Sequence, residues 1–107
     1  MRYKSIGANI TGNDTLLTVP SDVRAIVVSL NISNKDTAGA DVSIKINKGV
    51  DTYYLLKDSY IHPNSLVNVI SEDLYLDKDD SIDIEATGVD LDTYLSYKEV
   101  VVFPQFI

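Results

Sequence analysis

The chain has no cysteine and no tryptophan, one histidine, three prolines and five glycines among its 107 residues. Without cysteine there is no disulfide framework, no zinc–thiolate site and no thiol nucleophile. The single histidine argues against a transition-metal centre. Five isolated glycines, none opening a helix, leave no phosphate cradle. Positive charge is also scarce: nine Lys and Arg stand against sixteen Asp and Glu, a net charge of −7. That balance repels a phosphate backbone, so no nucleic acid is expected as a partner. No apolar run approaches the ~20 residues of a membrane span, so no membrane partner is expected. The start, Met1-Arg2-Tyr3-Lys4-Ser5-Ile6-Gly7, has no signal-peptide core, which predicts a leaderless product assembled in a cytoplasm.

What is present is alternation with a period of two. Val42, Ile44 and Ile46 share one face of an extended segment, with Ser43 and Lys45 between them. Ile82, Ile84 and Ala86 alternate likewise with Ser81, Asp83 and Glu85. The same rule puts Ile26, Val28, Leu30 and Ile32 on one face of a long strand. Turn chemistry punctuates these runs at 11–14, 20–22, 34–39, 47–49, 62–64, 77–80 and 87–90. The expected strands are 3–10, 15–19, 23–33, 40–47, 52–58, 65–70 with 73–76, 81–87 and 92–103. The best helical candidate, 71–76, is too short to stand. One core fits 107 residues, so the reading is a single all-β domain spanning 1–107. Its architecture is a two-sheet antiparallel β-sandwich, jelly-roll-like, with about eight strands.

Three constellations could carry chemistry. His62, with Ser59 and Asp58 nearby, offers the residue types of a catalytic triad, but no nucleophile-elbow pattern accompanies it; it reads as a turn histidine. The acids at 72–73, 77–80, 83 and 85 include pairs of the glycosidase type. With no tryptophan to line a sugar cleft, they read as a solvated face. Asp77, Asp79 and Asp80 lie in one turn and are the calcium candidates. The EF-hand pattern is absent, and an Asp-rich turn between strands needs no metal. No cofactor and no catalytic residue is expected.

Seven tyrosines against two phenylalanines leave open whether the rings serve β-propensity or an interface. Tyr53 and Tyr54 are adjacent, so one should face the core and one out; Tyr94 and Tyr97 should also oppose each other. The expected partner-contacting residues are Tyr3, Tyr54 and Tyr94, with Phe103, Phe106 and Ile107 in the apolar C-terminal run.

The order of segments carries a resemblance. Residues 3–11 lead to Asp14-Thr15-Leu16-Leu17-Thr18-Val19-Pro20, then to a long strand, 24–34, ending in Asn34. Tyr54-Leu55-Leu56-Lys57-Asp58, the 74–82 turn segment and Leu95-Ser96-Tyr97-Lys98-Glu99-Val100 follow. Over nearly its whole length this resembles small virion structural proteins of tailed bacteriophages. Those proteins commonly have glycine where this chain has Asp79, which predicts a turn of different shape here. The resemblance implies a non-enzymatic structural role in the virion: capsid decoration, or an accessory part of the neck, tail or fibre. It further implies binding to other virion proteins, while the apolar C-terminal run itself points to a homo-oligomer. The other reading is a carbohydrate- or receptor-binding module at a tail tip.

Overall fold

A computed structural model describes residues 2–87 and 90–101. Among these residues nine strands divide between two sheets: β1 (Arg2–Ile10), β2 (Asp14–Thr18), β3 (Val23–Asn34), β4 (Ala40–Lys48), β5 (Asp51–Ile61), β6 (Ser65–Ile70), β7 (Leu74–Leu76), β8 (Ser81–Ala86) and β9 (Leu91–Val101). No helix occurs among the described residues, so none is long and apolar enough to cross a membrane. The segment 71–76, the helical candidate, instead contributes the short strand β7. The extension of the last strand to 103 lies outside the described residues.

One sheet has the order β1-β9-β3-β6, with β7 also paired to β3; the other runs β2-β8-β4-β5. All pairings are antiparallel. β6 and β7 lie end to end along β3, so they fill one position in their sheet. Counted that way, the eight positions follow the jelly-roll order. Only β4 and β5 form a hairpin of consecutive, paired strands among the described residues. The 34–39 segment, hairpin-like in sequence, instead crosses from one sheet to the other. The β4–β5 turn needs only two residues, Gly49 and Val50. Gly49 has φ 62 and Val50 is not left-handed, the requirement of a type II′ turn.

The core is the alternation made physical. Ile82 and Ile84 of β8, Val42 and Ile44 of β4, Leu30 and Ile32 of β3, and Leu91 and Leu95 of β9 are essentially inaccessible to solvent. On β3, however, the simple period fails. Val23, Ala25 and Val27 are buried with Leu30 and Ile32, while Ile26 and Val28 are half-buried. The register against β9 shifts between Val27 and Ser29, so one extra residue reverses which parity points inward. The expectation that Ile26 and Val28 share the buried face is corrected by that bulge.

Candidate interaction surface

Two turn clusters hold the ends of the sandwich, and both enclose residues singled out in the sequence. At the β7–β8 turn, Asp80 is buried, and its carboxylate accepts the Asp77 backbone N–H at 2.8 Å and the Lys48 ammonium. Lys48 lies 3.8 Å from Asp77 as well, so the chain supplies its own cation to this acidic turn. The pairing with Asp80 holds the lysine pKa above its usual value. Among the described residues, no three His, Asp or Glu side chains are arranged to hold a metal ion. The third calcium candidate, Asp79, is exposed and shares in no such site. Its φ is 66, so it takes the left-handed conformation that glycine favours and aspartate tolerates. The expected change of turn shape therefore does not follow from the absence of glycine. The turn docks on Val19, just past the end of β2: Val19 N–H donates to the Asp80 carbonyl and Asp79 N–H to that of Val19, both at 2.9 Å.

At the opposite end of β3, Asn34 is fully buried. Its amide donates to the carbonyls of Ala38 (2.9 Å) and Ile61 (3.2 Å), and its oxygen accepts from Asp36 N–H. The asparagine that closes the long strand is thus a staple for the crossover. Asp36 in turn accepts from the N–H groups of Thr37 and Ala38, which hold its carboxyl below the usual range. Nearby, Asn9 donates to both Asp90 and Asp92, and Lys35 bridges the same two acids at 3.7 and 3.3 Å. The Asn9 bond lowers the Asp92 pKa, and the Asp92 bond raises that of Lys35.

His62 is exposed in the β5–β6 turn, with its ring edge-on to Tyr60 at 4.9 Å. The two other triad candidates do not converge on it. Asp58 faces β4, where its N–H donates to Ser43 Oγ at 2.9 Å and its carboxylate accepts from the same hydroxyl at 3.4 Å.

The outer faces of the two sheets differ in chemistry, although both expose tyrosine: Tyr54 and Tyr60 stand on the outer side of the edge strand β5. On the β2-β8-β4-β5 sheet, Asp83 accepts from Asn47 Nδ2 (2.7 Å) and Thr15 Oγ1 (2.9 Å), and Glu85 pairs with Lys45 at 3.2 Å. A shallow pocket lined by Asn13, Asp41, Asp58 and Glu85 adds further carboxylates to this surface. On the other sheet the outward positions carry tyrosine among small polar residues. Tyr3, Ser5 and Gly7 of β1 stand opposite Lys98, Ser96 and Tyr94 of β9. Beyond β9 follow Ser29, Asn31 and Ser33 of β3, Tyr75 of β7, and Leu66 and Asn68 of β6. Tyr3, Tyr75 and Leu66 are 76%, 67% and 63% exposed, and Tyr94 is 53% exposed. Tyr94 lies over Gly7, where a Cβ would meet its ring at 3.5 Å. The Lys98 ammonium sits 5.6 Å from the centre of the Tyr3 ring.

The fold thus brings two of the expected contact residues, Tyr3 and Tyr94, to one face. Tyr54 is elsewhere: it is exposed on the outer side of β5, beside Lys57. Phe103, Phe106 and Ile107 lie outside the described residues. Tyr97 is buried and Tyr94 exposed, as alternation requires. Tyr53 and Tyr54, however, are both exposed. β5 is an edge strand, and at this end even its inward side stays open to solvent, so the expected division between core and surface is corrected. Sequence reading missed Tyr75 and Leu66; their signal is the alternation of 65–70 and 74–76, which puts both on the outward parity. It also missed Glu99, a buried carboxylate held by Lys4 at 3.1 Å and Arg2 at 3.5 Å.

Two crystal structures of a pentameric capsid protein isolated from metagenomic phage sequences are similar to this chain. Each covers 92% of it at 14% identity with a TM-score of 0.47, and the chain spans 62% and 64% of theirs. A likeness at that level says nothing of what this chain binds. No protein-family model and no curated protein matches the sequence.

Proposed function

We propose that this chain is a non-enzymatic structural subunit of a phage virion, a jelly-roll domain spanning 1–107 that binds other virion proteins. Its place is capsid decoration or an accessory position at the neck, tail or fibre. A jelly roll hosts many functions, so the fold alone does not choose among them. The observation that carries the reading is the outer face of the β1-β9-β3-β6 sheet. Tyr3, Tyr75, Tyr94 and Leu66 are exposed there among serine and asparagine, the mixture of aromatic anchors and few charges found at protein interfaces. The sequence resemblance to tailed-phage virion proteins gives that face its class of partner.

The test is particle association. Tagged protein is produced in a host releasing phage of the matching type, and particles are banded on a density gradient. Co-banding that survives high salt supports the proposal. Protein left wholly in the soluble fraction, or selective capture on a glycan array, sinks it; the second result favours the tail-tip binding module.

A further inference from the structure

Each sheet edge of this sandwich offers backbone hydrogen-bonding groups to a further strand, and most edges are blunted. β2 has five residues and a register shift. β5 shifts register twice against β4 and carries Asp58 at φ 46. The β6–β7 edge is split in two, and β6 contains a bulge of its own. β1 is the exception. Its nine residues pair with β9 without one register shift, from Arg2 opposite Glu99 to Ile10 opposite Leu91. It holds no proline, and among the described residues β9 is its sole strand partner.

Charge varies along this edge. One end carries Arg2, Lys4 and Lys98 against the single acid Glu99, and is net positive. The other end carries Asp90 and Asp92, which share Lys35, and is net negative. β1 itself carries no acid, but with β9 behind it the edge is basic at one end and acidic at the other, and such an edge is complementary to itself when reversed. The side chains agree. In an antiparallel pairing centred on Ile6, inward positions stay inward, and the half-buried Ile6 and Ala8 gain cover. Lys4 then lies opposite Ala8 of the partner subunit, and Ser5 opposite Gly7 of the partner subunit. No like charges face each other directly.

We infer that β1 is a homotypic docking edge: two copies of this chain pair β1 against β1 about a two-fold axis, centred on Ile6, into one continuous sheet. The inference does not rest on the virion reading. An isologous contact of this kind closes on itself as a dimer.

The experiment is solution mass across micromolar to millimolar concentration, by light scattering and sedimentation, with three forms of the chain. Wild type goes from 11.8 kDa to twice that mass. Ser5→Glu/Gly7→Glu places acids opposite each other twice in the dimer and weakens it about tenfold or more. Ser5→Lys/Gly7→Glu places Lys opposite Glu twice and restores wild-type affinity or better. Both positions are exposed, and a side chain at Gly7 meets the Tyr94 ring at ordinary contact distance, so the fold is retained; circular dichroism checks this. Deuterium exchange reads the same event as concentration-dependent protection of β1 amides. A wild type that stays monomeric, or a dimer indifferent to the Glu/Glu change, overturns the inference. Protection of β1 only when another protein is added also overturns it, in favour of an extended segment of that protein. A monomer that still bands with particles defeats the edge pairing alone and leaves the proposed function standing.

Discussion

The two sheets obey one inward rule and two outward ones. Both bury Ile, Val and Leu at alternate positions, and both inner faces close on the same core. Outward, β2, β8 and β4 of one sheet carry charge that is largely answered within the chain, Asp83 by Asn47 and Thr15 and Glu85 by Lys45, while only its edge strand β5 exposes rings, Tyr54 and Tyr60. The β1-β9-β3-β6 sheet carries tyrosine, serine, asparagine and glycine in the equivalent places, with Tyr75 and Tyr94 making no hydrogen bond through their hydroxyls among the described residues. A hydrogen-bonded acidic ladder keeps a face solvated. Exposed rings among small polar groups leave a face that gains by being covered. The lesson is that the fold is written in the inward half of the alternation, and the proposed partner contact in the outward half.

The comparison can be broken first by attacking what the faces share. Leu30→Ala on β3 or Ile84→Ala on β8 removes a fully buried side chain and costs about 2–5 kcal/mol in urea unfolding. Both substitutions degrade both faces together. The next effect is smaller. Asp80→Ala strips the partner from Lys48 and from the Asp77 N–H, and lowers stability by about 1–3 kcal/mol. Added calcium changes the stability of neither that variant nor the wild type. Substitution on the faces themselves is smaller still. Tyr75→Ala and Tyr94→Ala stay within about 0.5 kcal/mol of wild type in unfolding, yet lose particle binding. Glu85→Gln costs about 0–1 kcal/mol and leaves binding intact.

The pH dependence separates the sites by sign. Asp92 and Asp36 have folded pKa values below the unfolded value of about 3.9. Their contribution is present above that value and fades as pH falls through the folded ones. Lys45, Lys48 and Lys35 have raised pKa values, so their contribution is complete below the unfolded value of about 10.4. It is lost as pH rises through the folded values. An Asn9→Ala variant shrinks the acid limb, and Glu85→Gln shrinks the alkaline limb; each is read as melting temperature against pH.

Most strands were legible because their inward and outward residues differ in kind. Ser81 to Ala86 alternates without interruption, and β8 falls where that pattern puts it. The reading failed where kind did not distinguish the faces. Ala25-Ile26-Val27-Val28 is apolar at both parities, so nothing in it announces the bulge that reverses β3. Tyr53 and Tyr54 look alike in sequence, and only the edge position of β5 explains why both stay exposed. Asp77, Asp79 and Asp80 read as a possible cation site, because the lysine that fills it, Lys48, comes from the far end of β4. The tyrosine face was half legible for the same reason: parity assigns Tyr3, Tyr75 and Tyr94 to outward positions, but sheet order alone brings β1, β9 and β7 to one surface.

The most direct test of the account is particle binding by two charge variants measured side by side, Tyr94→Arg on the tyrosine face and Thr15→Arg on the acidic one. Both residues are exposed, so both variants fold. The account predicts that Tyr94→Arg is lost from banded particles while Thr15→Arg bands like wild type. Retention of Tyr94→Arg with loss of Thr15→Arg would contradict it, and would move the partner surface to the acidic sheet.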